Sequence, residues 1–482
     1  MSRTGRPTGP RPPLVRPGDA VAVLGLGVSG VAAARLAAAR GAAVYASDVA
    51  LTEPQSAAAE ELRAEGIDAE VGRHDLERIR GCDLLVVSPG IPPSAEVRRE
   101  LRDAGIPSVA EVELAYRDLT CRLIGVTGTN GKTTATALCH QVLLAGGIDA
   151  AAAGNIGVPL CEIALRTTQP DWVVVELSSF QLADVDAFSV EIGVLLNLSP
   201  DHLDRYRDLA SYYADKKRLF RNATAESCWV LNADDPAVLQ LGRGVLGTHY
   251  HVSTAGPVRP GAYLDDGALT LETPGRSERW LTVGEMRLPG RHNIGNALAA
   301  GLAASLASCD GESIGRALAE FEGLPHRLEP VGTYDSVLWV NDSKATNVAA
   351  TLVAVQAFDR PLVLILGGRH KGEPFAPLLP WLDRASGIVA FGEAAPQVVA
   401  ELNGSLSGVQ VESNLESAVR SARELATPGG VILFSPACSS YDMFRNYEER
   451  GKAFRRAVAG LHTPPAGLHA PADGPRTGRE GG

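Results

Sequence analysis

Apolar, strand-like runs along this chain end repeatedly in a glycine or polar turn that opens onto an alanine-rich helical stretch. "AVAVLGLG", "RLIGVTG", "DWVVVELSS", "IGVLLNLS", "LVLILGG" and "GVILFSPA" all follow this rule. Such runs read as strands buried on both faces, and strands alternating with helices build parallel sheets. The fold class is therefore α/β. At 482 residues the chain exceeds one ordinary core. The runs group into three domains, roughly 19–119, 120–325 and 326–462. Residues 1–18 read as a disordered leader and 463–482 as a disordered tail. The stretch near 228–290 is less regular and reads as antiparallel.

Composition removes several function classes. The net charge is −11 and no long basic run interrupts it, which argues against a nucleic-acid surface. No apolar run reaches the ~18 residues of a membrane span. The seven cysteines are scattered and none forms a CxxC pair, so the expected compartment is reducing, the cytoplasm. Of 45 basic residues only six are lysine (132, 216, 217, 344, 371 and 452). Where arginine is the default cation, a lysine marks a place that needs a compact charge or a reactive amine.

Two glycine-rich stretches follow strands. "LGLGVSG" sets Gly25, Gly27 and Gly30 at the spacing of a pyrophosphate cradle, with Asp48 where a dinucleotide fold places its ribose carboxylate. "GVTGTNGKTT" is the better phosphate loop. Gly128 and Gly131 let N–H groups of Thr129 and Asn130 converge on phosphate, Lys132 reaches the terminal phosphates, and Thr133 or Thr134 can hold Mg²⁺. The strict pattern asks for glycine at 126, where Val126 stands. ATP is the expected ligand. Glu176, after three valines, stands where a Mg²⁺ ligand belongs. Ser199 and Pro200 read as the N-cap and first position of a helix whose first turn carries Asp201 and His202. Lys216 and Lys217, by position alone, look like a solvated helix face.

"TGTNGKTT", "ELSSFQL", "NLSPDHLDRY", "LPGRHNIGNALAA", "GLPHRLEP", "VNDSKATN" and "SPACSSYDMFRNYEERG" occur in this order. Together they resemble the ATP-dependent Mur ligases of cell-wall synthesis, over about residues 20–460, and most particularly the branch that adds D-glutamate. The resemblance implies a Rossmann-like N-terminal domain, a central P-loop ATPase-like domain and a C-terminal Rossmann-like domain. It implies ligation of D-glutamate to UDP-N-acetylmuramoyl-L-alanine through an acyl phosphate, with ATP and two Mg²⁺, by a cytoplasmic monomer. The first loop would then hold a substrate diphosphate through Gly25, Gly27, Val28 and Ser29, with Asp48 near the uridine and Ser88, Pro89 and Gly90 lining the pocket.

Further roles come with the same resemblance. Glu176 and His202 would be metal ligands with Thr133, joined by Lys216 as N6-carboxylysine, which reverses the solvated-face reading. Asn155 would contact the activated substrate, Asn293 and Asn296 the adenine, Arg327 the phosphates, and Asp342 the ribose. Lys344, Thr346, Lys371, Ser440 and Tyr447 would form the D-glutamate pocket. Tyr447 stands where a form of the D-glutamate-adding branch has phenylalanine, and the register around Lys371 differs. A sister ligase adding another amino acid, an NAD-dependent dehydrogenase suggested by the first loop, and a non-catalytic ATP-binding regulator stay open at this level.

Acyl phosphates hydrolyse in water, so the "GLPHR" junction at 323–327 is expected to act as a hinge that closes on substrates. Small-angle scattering should therefore differ between the free protein and the protein with ATP analogue and nucleotide-sugar; superimposable profiles would remove the hinge.

Overall fold

The computed structural model describes residues 12–93, 95–202, 205–288, 290–404 and 408–462. The expected tail and residues 1–11 of the expected leader lie outside the described residues. The rest of that leader is not loose. Val15 is buried in the first core with Leu14 packed against it, and the Gly18 N–H donates to the Gly41 carbonyl at 2.9 Å. An apolar pair inside a proline-rich run is enough to fold it back.

The first sheet has five parallel strands, β1 (Ala20–Leu24), β2 (Ala43–Asp48), β3 (Asp68–Val71), β4 (Leu84–Val87) and β5 (Ser108–Ala110), in the order β3-β2-β1-β4-β5. Val21 and Val23 face one core and Ala22 and Leu24 the other, so both faces are covered, as a parallel sheet requires. The strand order reverses between β1 and β4. That opens a crevice at their carboxyl ends, where the first glycine loop and Ser88–Gly90 lie.

The central sheet comprises β6 (Arg122–Thr127), β7 (Ala150–Gly154), β8 (Trp172–Glu176), β9 (Ile192–Leu195), β10 (Cys228–Asn232), β11 (Thr248–Ser253), β12 (Gly261–Asp265), β13 (Ala268–Thr273) and β14 (Arg276–Thr282). Its order is β14-β13-β12-β11-β10-β9-β6-β8-β7. The antiparallel section expected near 228–290 begins later than the sequence suggests. β10 and β11 pair in parallel, because the helix Pro236–Gly242 between them provides a crossover; β12, β13 and β14 then pair antiparallel.

The third sheet holds β15 (Glu329–Tyr334), β16 (Val337–Asn341), β17 (Leu362–Gly367), β18 (Ala385–Phe391), β19 (Val409–Glu412) and β20 (Val431–Phe434), in the order β15-β16-β20-β17-β18-β19. β15 runs antiparallel to β16 and the remaining pairs are parallel. The architecture is three α/β domains.

By contact the chain divides into two compact units, one reaching to Leu324 and one from Pro325 onward, with Lys371–Glu373 going with the first. Buried carboxylates explain why the first two domains make one body. Glu113, fully buried, accepts the N–H groups of Asp186, Ala187 and Phe188 at 3.0, 3.1 and 2.7 Å and pairs with Arg117 at 2.9 Å. Its neighbour Glu111 accepts the Cys161 N–H at 2.6 Å, and Arg98 meets Asp184 at 2.6 Å. A carboxylate saturated with donors in the interior holds its partners firmly.

The first turn of the helix Val28–Ala39 crosses the glycine loop at contact distance. A Cβ on Gly30 would lie 1.8 Å from the Gly25 carbonyl oxygen. Gly30→Ala is expected to destabilise the first unit by about 1–3 kcal/mol or more through this overpacking. The denaturation midpoint reads it; a midpoint equal to wild type would contradict the geometry.

Candidate active site

The phosphate loop begins where β6 ends. Val126, the departure from the strict pattern, is still a strand residue: it pairs with Glu176 and Val194 and is buried in the central core. The left-handed step falls instead on Gly131 (φ 82), which caps the helix Lys132–Ala145. A Cβ there would come within 2.4 Å of the Asn296 amide oxygen, so the helix Arg291–Leu306 abuts the loop. Asn293 and Asn296, both buried in its first two turns, are bonded to one another at 3.2 Å.

The segment after β9 clasps the loop from the other side. Asn197 accepts the Asn130 N–H at 2.8 Å and donates to the Asn130 carbonyl at 2.9 Å, while its own carbonyl accepts the Thr129 N–H at 2.9 Å. Ser199 exchanges two further bonds with the Thr129 hydroxyl, at 3.0 and 3.1 Å. The helix start expected at Ser199 is therefore absent. The Ser199 N–H and carbonyl are spent on the loop, His202 takes a left-handed φ of 56°, and the next helix begins at Leu209 with Asp208 as its N-cap. Asp201 and His202 sit in an extended turn, with the His202 ring 4.8 Å from that of Phe180 and 6.2 Å from that of Tyr212.

Two amines meet on one carbonyl. Lys132 donates to the Gly128 oxygen at 3.0 Å and to that of Thr129 at 2.7 Å; Lys216 donates to the same Gly128 oxygen at 2.7 Å. Lys216 is 1% exposed, so the solvated face suggested by its position is wrong for it, although Lys217 is exposed. Burial first, and then the neighbouring Lys132 charge, push the Lys216 amine well below the ordinary lysine range.

Glu176 ends β8 and is 1% exposed. One of its oxygens accepts from the Asn155 amide at 2.7 Å; the other is buried without a partner. A buried carboxylate oxygen left unbonded beside a phosphate loop suits a hard cation. Among the described residues, no three His, Cys, Asp or Glu side chains converge into a ready-made metal cage. A cation here would need ligands beyond the single Glu176 oxygen.

In the first domain the Asp48 carboxylate accepts the N–H groups of Leu26 at 2.8 Å and Ala50 at 2.9 Å, tying the glycine loop to the end of β2. Ser88 leans on the Gly25 carbonyl at 3.3 Å, and Gly27, Val28 and Gly90 are open to solvent. In the third domain Asp342 is buried, accepting from the Leu328 N–H at 3.1 Å and the Ser435 hydroxyl at 2.8 Å. The Lys344 ammonium lies 3.8 Å from the centroid of the Tyr447 ring. Ser440 is buried, while Arg327 and Thr346 are half-buried; Lys371 falls in the short stretch that groups with the first unit.

Three family models match the chain in order: the Mur ligase MurD-like N-terminal domain over residues 19–110, the Mur ligase middle domain over 126–304, and the Mur ligase glutamate ligase domain over 326–438. The UDP-N-acetylmuramoylalanine--D-glutamate ligase of Salinibacter ruber is 40% identical over 428 residues, covering 86% of this chain and 93% of the relative. This chain belongs to the Mur ligase family. The D-glutamate ligase of Geobacillus kaustophilus is 41% identical over 442 residues, covering 91% and 97%. Solved Mur-type folds agree at lower identity. A pseudomurein peptide ligase type C from Methanothermus fervidus superposes with a TM-score of 0.59 at 19% identity, over 92% of this chain and 100% of its own. The MurF ligase of Thermotoga maritima in complex with ADP gives 0.57 at 15%, over 93% and 96%.

Within the Mur ligase central domain, the residues singled out from sequence gather at one end of one sheet: the loop 128–134, Asn155, Glu176, Lys216 and Asn296. Sequence reasoning missed Asn197 and Tyr212. Asn197 follows an apolar strand end, a visible signal; the Tyr212 hydroxyl, 3.3 Å from that of Thr129, carries no such sign.

Burial raises the Asp342 carboxyl to about 7 from its ordinary 3.8. The folded state thus holds the proton more tightly, so this group's contribution is full below pH 3.8 and is lost as pH rises through about 7. Asp342→Asn removes that term. Relative to wild type, the variant should gain stability as pH rises from 3.8 to about 7 and no further above it; a pH-independent difference in melting would show that Asp342 does not titrate in this way.

Proposed function

We propose that this Mur ligase joins D-glutamate to UDP-N-acetylmuramoyl-L-alanine at the expense of ATP, as a monomer in the cytoplasmic stage of peptidoglycan synthesis. The observation that carries the reading is the pair of amines on the Gly128 carbonyl beside the unpartnered Glu176 oxygen. It occurs in a chain about 40% identical to D-glutamate ligases over most of its length. Among the described residues no helix is long and apolar enough to cross a membrane.

The chemistry asks two anions to meet. The glycine loop of the first domain, bordered by Asp48 and Ser88–Gly90, receives the UDP diphosphate, and Asn155 faces the substrate carboxylate. Residues 128–134 receive ATP, with Lys132 leaving its loop carbonyls for the terminal phosphate. Asn293 and Asn296 border the adenine, and Arg327 and Asp342 reach the phosphates and ribose. Mg²⁺ held by Glu176, with Thr133, His202 and Lys216 as further ligands, would draw charge from the phosphoryl group. The carboxylate forms an O–P bond to the γ-phosphorus as the bridging P–O bond breaks and ADP leaves. The neutral amine of D-glutamate, gripped by Lys344, Thr346, Lys371, Ser440 and Tyr447, then forms the C–N bond as the acyl C–O bond breaks, phosphate departs and the amine's proton passes to solvent.

Lys216 has a further property. A buried lysine whose pKa is lowered keeps a fraction of neutral amine, which adds CO₂ to give a carbamate and a proton. N6-carboxylysine at Lys216 would turn one of two competing cations into an anion suited to a metal.

Phosphate release assayed with UDP-N-acetylmuramoyl-L-alanine, ATP, Mg²⁺ and a panel of amino acids should depend on D-glutamate. Chelation of Mg²⁺ or Lys132→Ala should abolish it, a loss of at least about 10³-fold given the electrostatic help withdrawn. Release that follows L-alanine or a diamino acid would reassign the chain to a sister ligase.

A further inference from the structure

The third domain buries a cation to which no role has been given. Arg450, in the first turn of the helix Tyr447–His462, is 0% exposed, and no carboxylate among the described residues pairs with it. Burying a guanidinium without a paired carboxylate is costly unless its donors find acceptors, and here four hydrogen bonds, three of them to backbone carbonyls, provide them. Its Nε donates to the Ser343 hydroxyl at 3.0 Å and one Nη to the Ser343 carbonyl at 2.7 Å. The other Nη donates to the carbonyls of Cys438 at 3.0 Å and Gly367 at 3.4 Å. These acceptors follow or close β16, β20 and β17, three neighbouring strands, all at their carboxyl ends.

The contacts continue outward. The Ser343 hydroxyl donates to the Tyr447 carbonyl at 2.9 Å, and the Tyr447 ring carries the Lys344 ammonium 3.8 Å from its centroid. Arg450 thus ties the loop bearing Lys344 to the helix bearing Tyr447, so that the two halves of the cation–π pair are set by one side chain.

Resting on the function proposed above, we infer that Arg450 is a positioning residue for the acidic amino acid: through Ser343 it fixes the Tyr447 backbone, and so places the ring on which the Lys344 ammonium is presented to a substrate carboxylate. Lysine cannot replace it, because an ammonium lacks the planar fork that reaches three strand ends at once.

Steady-state phosphate release tests this with Ser343→Ala, Tyr447→Leu, Tyr447→Phe and Arg450→Lys, each first checked for a wild-type melting transition. Ser343→Ala, Tyr447→Leu and Arg450→Lys should raise KM for D-glutamate by about tenfold while KM for ATP and for the nucleotide-sugar stays within about twofold, as expected when one charge-bearing contact is misplaced. Tyr447→Phe, which keeps the ring face, should recover most of the loss seen in Tyr447→Leu. If Arg450→Lys does not fold, the Ser343 and Tyr447 variants decide the matter. Folded variants with an unmoved KM for D-glutamate, or with all three KM values raised together, overturn the inference while leaving the function standing. A wild-type enzyme that ignores D-glutamate overturns both.

Discussion

Two lysine amines competing for the carbonyl of Gly128 are the point around which the central domain is organised. Like charges converge there in a buried place, and one of them, Lys216, yields by losing basicity. A loop built this way is electrostatically unfinished. On the function proposed, a polyanion completes it, which would explain why an acidic chain keeps a local cationic centre. The unbonded Glu176 oxygen is the complementary half: an acceptor waiting for a cation beside donors waiting for an anion.

That centre is held by neighbours that never need to touch a ligand. Asn197 grips both sides of the Asn130 peptide, and Ser199 grips Thr129. The Asn296 amide fills the space that a side chain at Gly131 would occupy. The same economy appears in the third domain, where Arg450 satisfies backbone carbonyls at or beyond three strand ends. In both places side chains of a second layer fix the backbone, and the backbone fixes the residues that do chemistry.

Much of this was legible in the sequence because the signals are local. Buried strands announce themselves as apolar runs, and a phosphate loop needs its glycines and lysine within one short stretch. What escaped depends on contacts across long sequence separations. Ser199 and Pro200 carry the grammar of a helix start, yet the backbone there is consumed by Thr129, 70 residues away. Lys216 looks like a solvated residue until the burial of its helix against the loop is seen; only family resemblance pointed inward. Val126 departs from the expected glycine because the strand extends one step further than the motif implies. Val15 folds back onto a core that composition alone cannot reveal.

Glu113 gathers three consecutive amides of the central domain onto a helix of the first, which sets the two glycine loops in one compact unit, like the jaws of a caliper. A molecule spanning those jaws is measured by its length. One whose diphosphate and carboxylate are too close or too far apart would fill one end and miss the other. On the function proposed above, nucleotide-sugars would then be told apart by reach as well as by the side chains that line the space.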